Sequence, residues 1–119
     1  LKEHGVETFG RLIDQNIAQA TFLTRLIEEE PFLELVASTN INIVCFRFRP
    51  GAASGEALKA LNTEIMVRLQ EQGTAALSDT TVHGEHCLRA AINNHRTRRG
   101  DLELLVRETV RLGQQISGL

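Results

Sequence analysis

Several residue types are scarce in this chain of 119 residues, and each shortage narrows what the chain can do. Tryptophan and tyrosine are absent, which leaves little aromatic surface on which nucleobases or sugars could stack. Lysine occurs only at Lys2 and Lys59, so chemistry that needs a lysine amine has few candidate positions. No apolar run approaches the roughly 20 residues of a membrane-spanning helix, and no signal peptide is visible at the N-terminus.

The charges are nearly balanced, with 13 basic and 15 acidic residues and a formal net charge of −2. Nucleic acids and membrane surfaces select for a basic excess, so this balance argues against both as partners. The length fits one domain over residues 1–119, large enough to bury a modest core. Because the sequence begins without methionine and runs directly into an amphipathic pattern, we expect a piece of a longer protein.

The two cysteines, Cys45 and Cys87, each fall in a predicted strand. A disulfide between neighbouring strands is one interpretation, and two buried free thiols are the other. We favour free thiols in a cytoplasmic protein, because buried cysteine packs as a small hydrophobic residue and disulfides are rare in the cytosol.

Hydrophobic periodicity predicts three helices and four strands in the order α-β-β-α-β-β-α. The first helix covers residues 6–30, and strands at residues 32–37 and 41–49 pair as an antiparallel hairpin. A loop rich in proline and glycine then leads into a second helix at about residues 55–72. The apolar stripe of that helix is Leu58, Leu61, Ile65 and Leu69.

The second half of the chain repeats the pattern of two strands and a helix. A weaker strand at residues 75–82 turns through His83 and Gly84 into a strand at residues 87–92, and Thr97 can cap a last helix. Helices with one apolar stripe can bury it against the apolar face of half-buried strands, which gives two layers. The predicted fold is therefore α+β, a two-layer arrangement of about four antiparallel strands with the helices on one face.

Arg89 is the residue whose position calls for a partner, because it interrupts the apolar last strand with Cys87 and Ala91 on its own face. An arginine inside an apolar strand is costly unless it meets an anion. Its guanidinium group could bind a carboxylate through two parallel hydrogen bonds. Alternatively, the side chain reaches solvent at a sheet edge, or it pairs with Asp79 across the hairpin.

Other polar residues have simpler interpretations. The spacing of His83, His86, Cys87 and His95 matches no standard zinc pattern, which favours turn and loop histidines over a metal site. Residues 93–97 form a polar loop before a helix N-terminus, which could receive an anion, although a capped turn is the simpler interpretation.

The remaining arginines are expected at the surface. Arg47 and Arg49 should face water at a sheet edge, and Arg96, Arg98 and Arg99 should form a solvated or interface patch. The sequence contains no nucleophile elbow, no glycine-rich phosphate loop and no pair of buried carboxylates. The residues by themselves therefore predict a soluble α/β domain with one arginine that needs a partner.

Four segments carry a resemblance to a known family. They are residues 4–7 (HGVE), 30–36 (EPFLELV), 42–47 (NIVCFR) and 88–97 (LRAAINNHRT), the last followed by an amphipathic helix. In this order and spacing they resemble the C-terminal small domain of group II pyridoxal-phosphate-dependent amino-acid decarboxylases, which are fold-type I enzymes. Many relatives carry proline at the position of His95, where this sequence departs from the pattern.

The resemblance implies a carboxy-lyase that works as a homodimer on an amino-acid substrate. In that family a large domain carries the Schiff-base lysine, an aspartate at the pyridine nitrogen and a stacking histidine, and pyridoxal phosphate is the electron sink. Lys2 and Lys59 match no cofactor-lysine motif, so the chain alone is expected to be inactive. The arginine that looks equivalent to Arg89 contributes to binding the substrate carboxylate in glutamate-type relatives.

Two alternatives of other classes stay open at this point. One is a free-standing binding or regulatory module that binds an amino acid or carboxylate, and the other is a structural piece that dimerises. Binding of amino acids to the isolated chain would favour the first, and a chain that stays monomeric in dilute solution would count against the second.

Overall fold

The helices and strands follow the predicted order. A computed structural model describes residues 17–38, 42–51, 55–73, 77–92 and 98–118, and the first helix, α1, is described over residues 17–29. The other elements are β1 (Leu33–Ser38), β2 (Ile43–Phe48), α2 (Gly55–Gln72), β3 (Leu77–Val82), β4 (Glu85–Ala91) and α3 (Arg99–Ser117). The predicted α+β fold is confirmed. The predicted start of the first helix and Thr97 lie outside the described residues.

The four strands form one antiparallel sheet in the order β1-β2-β4-β3. Both predicted hairpins are present, and β2 pairs with β4 to join them, which places Cys45 opposite Arg89. His83 and Gly84 connect β3 to β4 with φ angles of 51° and 79°. Two successive residues with positive φ match the twist of a tight hairpin, so the predicted turn is confirmed.

One face of the sheet carries the core. Alternation along β2 puts Val44, Phe46 and Phe48 on this face, where they are fully buried together with Leu88 of β4. All three helices contribute to the same apolar cluster, through Ala20, Leu23, Ile27, Ile65, Leu69, Leu102, Leu105, Val106 and Leu112. We call this side of the sheet the helix face. None of the described helices combines the length and apolar character needed to cross a lipid bilayer.

The buried stripe of α2 contains a polar residue that the apolar pattern did not include. Leu58, Ile65 and Leu69 are buried as predicted, but Leu61 is only half-buried and Asn62 is fully buried in its place. A buried amide costs free energy unless its groups are hydrogen-bonded. Asn62 meets this condition through the backbone of β2.

Candidate functional site

The side of the sheet opposite the helix face, here called the open face, holds the candidate site. Pairing register and alternation assign to it Glu34, Ile43, Cys45, Arg47, Ser78, Thr80, Val82, Glu85, Cys87, Arg89 and Ala91. The sheet residues of the core cluster all lie on the helix face. The open face is therefore where the strands present charged and thiol groups.

Arg89 lies on the open face of β4, an inner strand of the sheet that pairs with both β2 and β3. It is half-buried, opposite Cys45 of β2 and Ser78 of β3, and Cys87 and Ala91 flank it on β4 as predicted. All four neighbours are short and uncharged, so the arginine side chain extends beyond the side chains that surround it. Within the described part of the chain, no ion pair or side-chain hydrogen bond engages its guanidinium group.

The alternative pairing of Arg89 with Asp79 is wrong, because the two residues lie on opposite faces of the sheet. Asp79 is opposite Leu88 in the β3–β4 register, which puts it on the helix face. Its Oδ2 lies 2.9 Å from Nε2 of His86. This hydrogen bond is the main reason why the pKa of Asp79 is below its ordinary value.

Arg47 is the buried arginine of the sheet, and the expectation that it faces water was wrong. The residue is 6% exposed, and its Nε donates to Oε1 of Glu34 at 2.6 Å. Its Nη2 lies 2.5 Å from the same oxygen and 3.4 Å from Oε2 of Glu85. Arg49 is half-buried and donates to the other oxygen of Glu34 at 2.7 Å. These carboxylates compensate the cost of removing the guanidinium group from water.

Glu34 is the centre of this charged network. Burial by itself raises the pKa of its carboxyl group, but hydrogen bonds from Arg49 and Arg47, and their positive charges, outweigh that effect and hold the pKa below its ordinary value. The carboxylate is therefore ionised at neutral pH between two guanidinium groups. A sequence signal existed, because Glu34 and Arg47 are directly opposite once the β1–β2 hairpin is in register.

The two thiols on the open face are free and buried, which confirms the favoured interpretation over the disulfide. Burial and, to a smaller extent, the neighbouring Cys45, which shares a hydrogen bond with it, together raise the pKa of Cys87 to about 11. The thiolate is the reactive form of cysteine. Cys87 is therefore an unreactive thiol next to Arg89.

The described histidines do not come together around Cys87. His83 is exposed in the β3–β4 turn, and His86 lies on the helix face, so the sheet separates it from the Cys87 thiol. His95 falls outside the described residues. Among the residues that the structure describes, no three metal-ligating side chains are grouped.

The predicted anion-binding loop, residues 93–97, also lies outside the described residues, and Arg96 with it. Of the predicted arginine patch, Arg98 and Arg99 are exposed at the start of α3. The guanidinium carbon of Arg99 lies 5.0 Å from the centre of the Phe22 ring of α1. This distance is within the range of a cation–π contact that ties the two helices together.

An antiparallel sheet with its described helices on one face defines the two-layer α+β class. No family model matches the sequence. The chain is 28% identical over 92 residues to tryptophan decarboxylase 2 of Oryza sativa subsp. japonica, a match that covers 77% of this chain and 18% of that protein.

Solved structures give the same result. The crystal structure of Oryza sativa TDC with pyridoxal phosphate (PLP) aligns with a TM-score of 0.81 and 28% identity, over 94% of this chain and 25% of that one. The glutamate decarboxylase domain of a Vibrio parahaemolyticus diaminobutyrate-pyruvate transaminase and L-2,4-diaminobutyrate decarboxylase aligns with a TM-score of 0.77 and 26% identity, over 89% of this chain and 22% of that one.

These comparisons confirm the resemblance to group II PLP-dependent decarboxylases of the aromatic-amino-acid and glutamate type. The relatives are lyases, and the chain spans about a fifth of the length of the curated relatives it matches.

The described residues do not fit pyridoxal phosphate itself. The cofactor needs a lysine for its Schiff base and an acidic partner for its pyridine nitrogen. Lys59 is exposed on α2, and Asp79, a carboxylate that its charge influences, is engaged by His86. Lys2 lies outside the described residues.

Proposed function

We propose that the chain is the C-terminal small domain of a PLP-dependent amino-acid decarboxylase. The observation that carries this proposal is one of coverage: the likeness to Oryza sativa TDC extends over 94% of this chain but only 25% of that one. A chain that corresponds almost entirely to a quarter of an enzyme is best understood as one of its structural units. The rest of the polypeptide is a large domain that completes a cytoplasmic homodimer.

In this proposal the open face meets the large domain, and Arg89 binds a carboxylate of the amino-acid substrate as the small domain closes the active site. The support is the environment of Arg89: the residue is half-buried, its neighbours are short and uncharged, and it has no described acidic partner. A guanidinium group in such a setting favours bidentate binding of a carboxylate.

The large domain binds pyridoxal phosphate and supplies the Schiff-base lysine, so the isolated chain is inactive. On mixing the 119-residue chain with the cofactor, we expect no absorbance band near ~420 nm and no adduct after borohydride reduction. The full-length enzyme should give both. A stoichiometric adduct of the isolated chain, lost in Lys59→Arg, would contradict this assignment.

The coding sequence upstream gives an independent test. A large domain of this family contains the cofactor lysine in a Ser/Asn-x-His-Lys motif, so an upstream open reading frame should encode one. A reading frame that starts close to Leu1 would contradict the proposal.

A carboxylate-binding module is the second candidate, and the absence of a described partner for Arg89 favours it equally. Titration of the isolated chain with amino acids distinguishes the two functions. Saturable binding that is lost in Arg89→Ala supports the module, whereas the decarboxylase domain should bind amino acids only together with the large domain.

A further inference from the structure

The charges on the open face are unequal in number. On the open face of the described strands, and at the residue that follows β2, the charged side chains are Glu34, Arg47, Arg49, Glu85 and Arg89. Both carboxylates contact Arg47, and Glu34 also contacts Arg49. The positive charge in excess therefore resides at Arg89.

Glu85 is the carboxylate that could form an ion pair with Arg89 if Arg47 did not bind it. Both residues lie on the open face of β4, four positions apart, which is about 13 Å along a strand. Only the short side chain of Cys87 stands between them, so extended glutamate and arginine side chains can meet above it. In the structure Glu85 instead lies 3.4 Å from Nη2 of Arg47 on the neighbouring strand.

Arg47 is well suited to hold Glu85, because it is itself fixed. Its side chain is 7% exposed and is anchored by Glu34, whereas the side chain of Glu85 is 53% exposed. A guanidinium group that is already ordered loses little entropy when it binds a second carboxylate.

We propose that Arg47 is a positioning residue that engages Glu85 and so keeps the Arg89 guanidinium group available for a carboxylate ligand. The consequence for an amino-acid substrate rests on the proposed function. The effect on the side chain of Arg89 does not, and it can be measured in this chain by itself.

The first test follows the Nε–H signal of Arg89 in nitrogen-15 NMR spectra of the 119-residue chain. Glu85→Gln alone should leave the signal unchanged, because Arg47 already holds Glu85. Arg47→Met should shift the signal and slow its exchange with water roughly two- to fivefold, the factor typical of an accessible ion pair. Adding Glu85→Gln to Arg47→Met should restore the original signal.

Other outcomes overturn the inference. It fails if the Arg89 signal is the same in Arg47→Met as in the unmodified chain, or if Glu85→Gln alone moves it. Where Arg47→Met does not fold, Arg47→Gln keeps an amide donor for Glu34 but no charge for Glu85, and the same results are expected. Ser78→Glu, which puts a carboxylate directly opposite Arg89, should reproduce the shift, and Ser78→Gln should not.

The second test uses the full-length enzyme. Arg47→Met should raise KM for the amino-acid substrate roughly two- to fivefold with little change in kcat, and Glu85→Gln in the same chain should restore KM. A purely structural loss would not be restored in this way. If the NMR result holds but KM does not change, the role of Arg47 stands and the substrate-binding role of Arg89 fails.

Discussion

The side-chain amide of Asn62 binds both backbone polar groups of Phe48. Its Oδ1 accepts the Phe48 N–H at 2.8 Å, and its Nδ2 donates to the Phe48 carbonyl at 2.9 Å. The described pairing of β2 with β4 ends two residues earlier, at Phe46 and Leu88. Asn62 therefore satisfies the backbone groups of β2 at the point where this ladder stops, and it ties α2 to the sheet.

Asn62→Ala should lower the free energy of unfolding by about 2–4 kcal/mol, because two buried backbone groups lose their partners. Urea denaturation measures the change. Thr63→Ala, at the next position of the helix, should stay within about 0.5 kcal/mol of the unmodified chain. Equal stability of the two variants would show that water replaces the amide.

Gly113 is required where α3 crosses β2. A methyl group at this position would lie 2.5 Å from Cδ1 and Cε1 of the buried Phe48 ring. Gly113→Ala should therefore cost about 1–3 kcal/mol through overpacking, despite the higher helix propensity of alanine. Thermal unfolding detects the loss, and adding Phe48→Leu should recover part of it.

Gly100 is the matched control on the same helix, because nothing lies near the place a methyl group would take. Gly100→Ala should be neutral or stabilising by up to about 1 kcal/mol. If both glycine variants change stability in the same direction and by the same amount, contact with Phe48 is not the reason for Gly113.

The pKa of Glu34, lowered in the folded chain, predicts an acid-dependent loss of stability. The unfolded chain binds a proton at Glu34 more readily, so this contribution is complete above the ordinary carboxyl pKa. It is lost as the pH falls from about 5 through the lower folded pKa. Glu34→Gln should be less stable at pH 7 and should show a flatter decline in acid. Parallel curves of unfolding free energy against pH would exclude the network as a source of stability.

The thiols should be unreactive while the chain is folded. With its pKa raised to about 11, Cys87 is a thiolate in only about a thousandth of molecules at pH 8. Iodoacetamide should modify Cys45 and Cys87 quickly in guanidinium chloride and far more slowly in buffer, as mass spectrometry would record. Fast labelling of the folded chain, or a mass lower by two hydrogens, would contradict the buried free thiols.

The order of elements and the two hairpins could be predicted from sequence because they depend on neighbouring residues. The alternation around Arg89 likewise predicted Cys87 and Ala91 on its face. The pairing of Cys45 with Arg89 could not be predicted, because β2 and β4 are far apart in the chain and local pattern does not specify which strands meet.

The burial of Arg47 was missed for a related reason. Its own strand becomes polar towards the end, which predicts exposure, and the partner that compensates it, Glu34, is on another strand. Asn62 was missed because apolar periodicity predicts burial only for apolar residues and does not identify a buried amide. Both residues become intelligible only when the groups opposite them are known.

The most direct test of the central claim compares two ligands in the full-length enzyme: an amino-acid substrate and the amine that remains after loss of its carboxylate. Arg89→Gln should weaken binding of the amino acid about ten- to hundredfold and leave the amine unaffected, and Arg25→Gln, at an exposed position of α1, should change neither. Equal weakening of both ligands, or of neither, would contradict a carboxylate-binding role for Arg89.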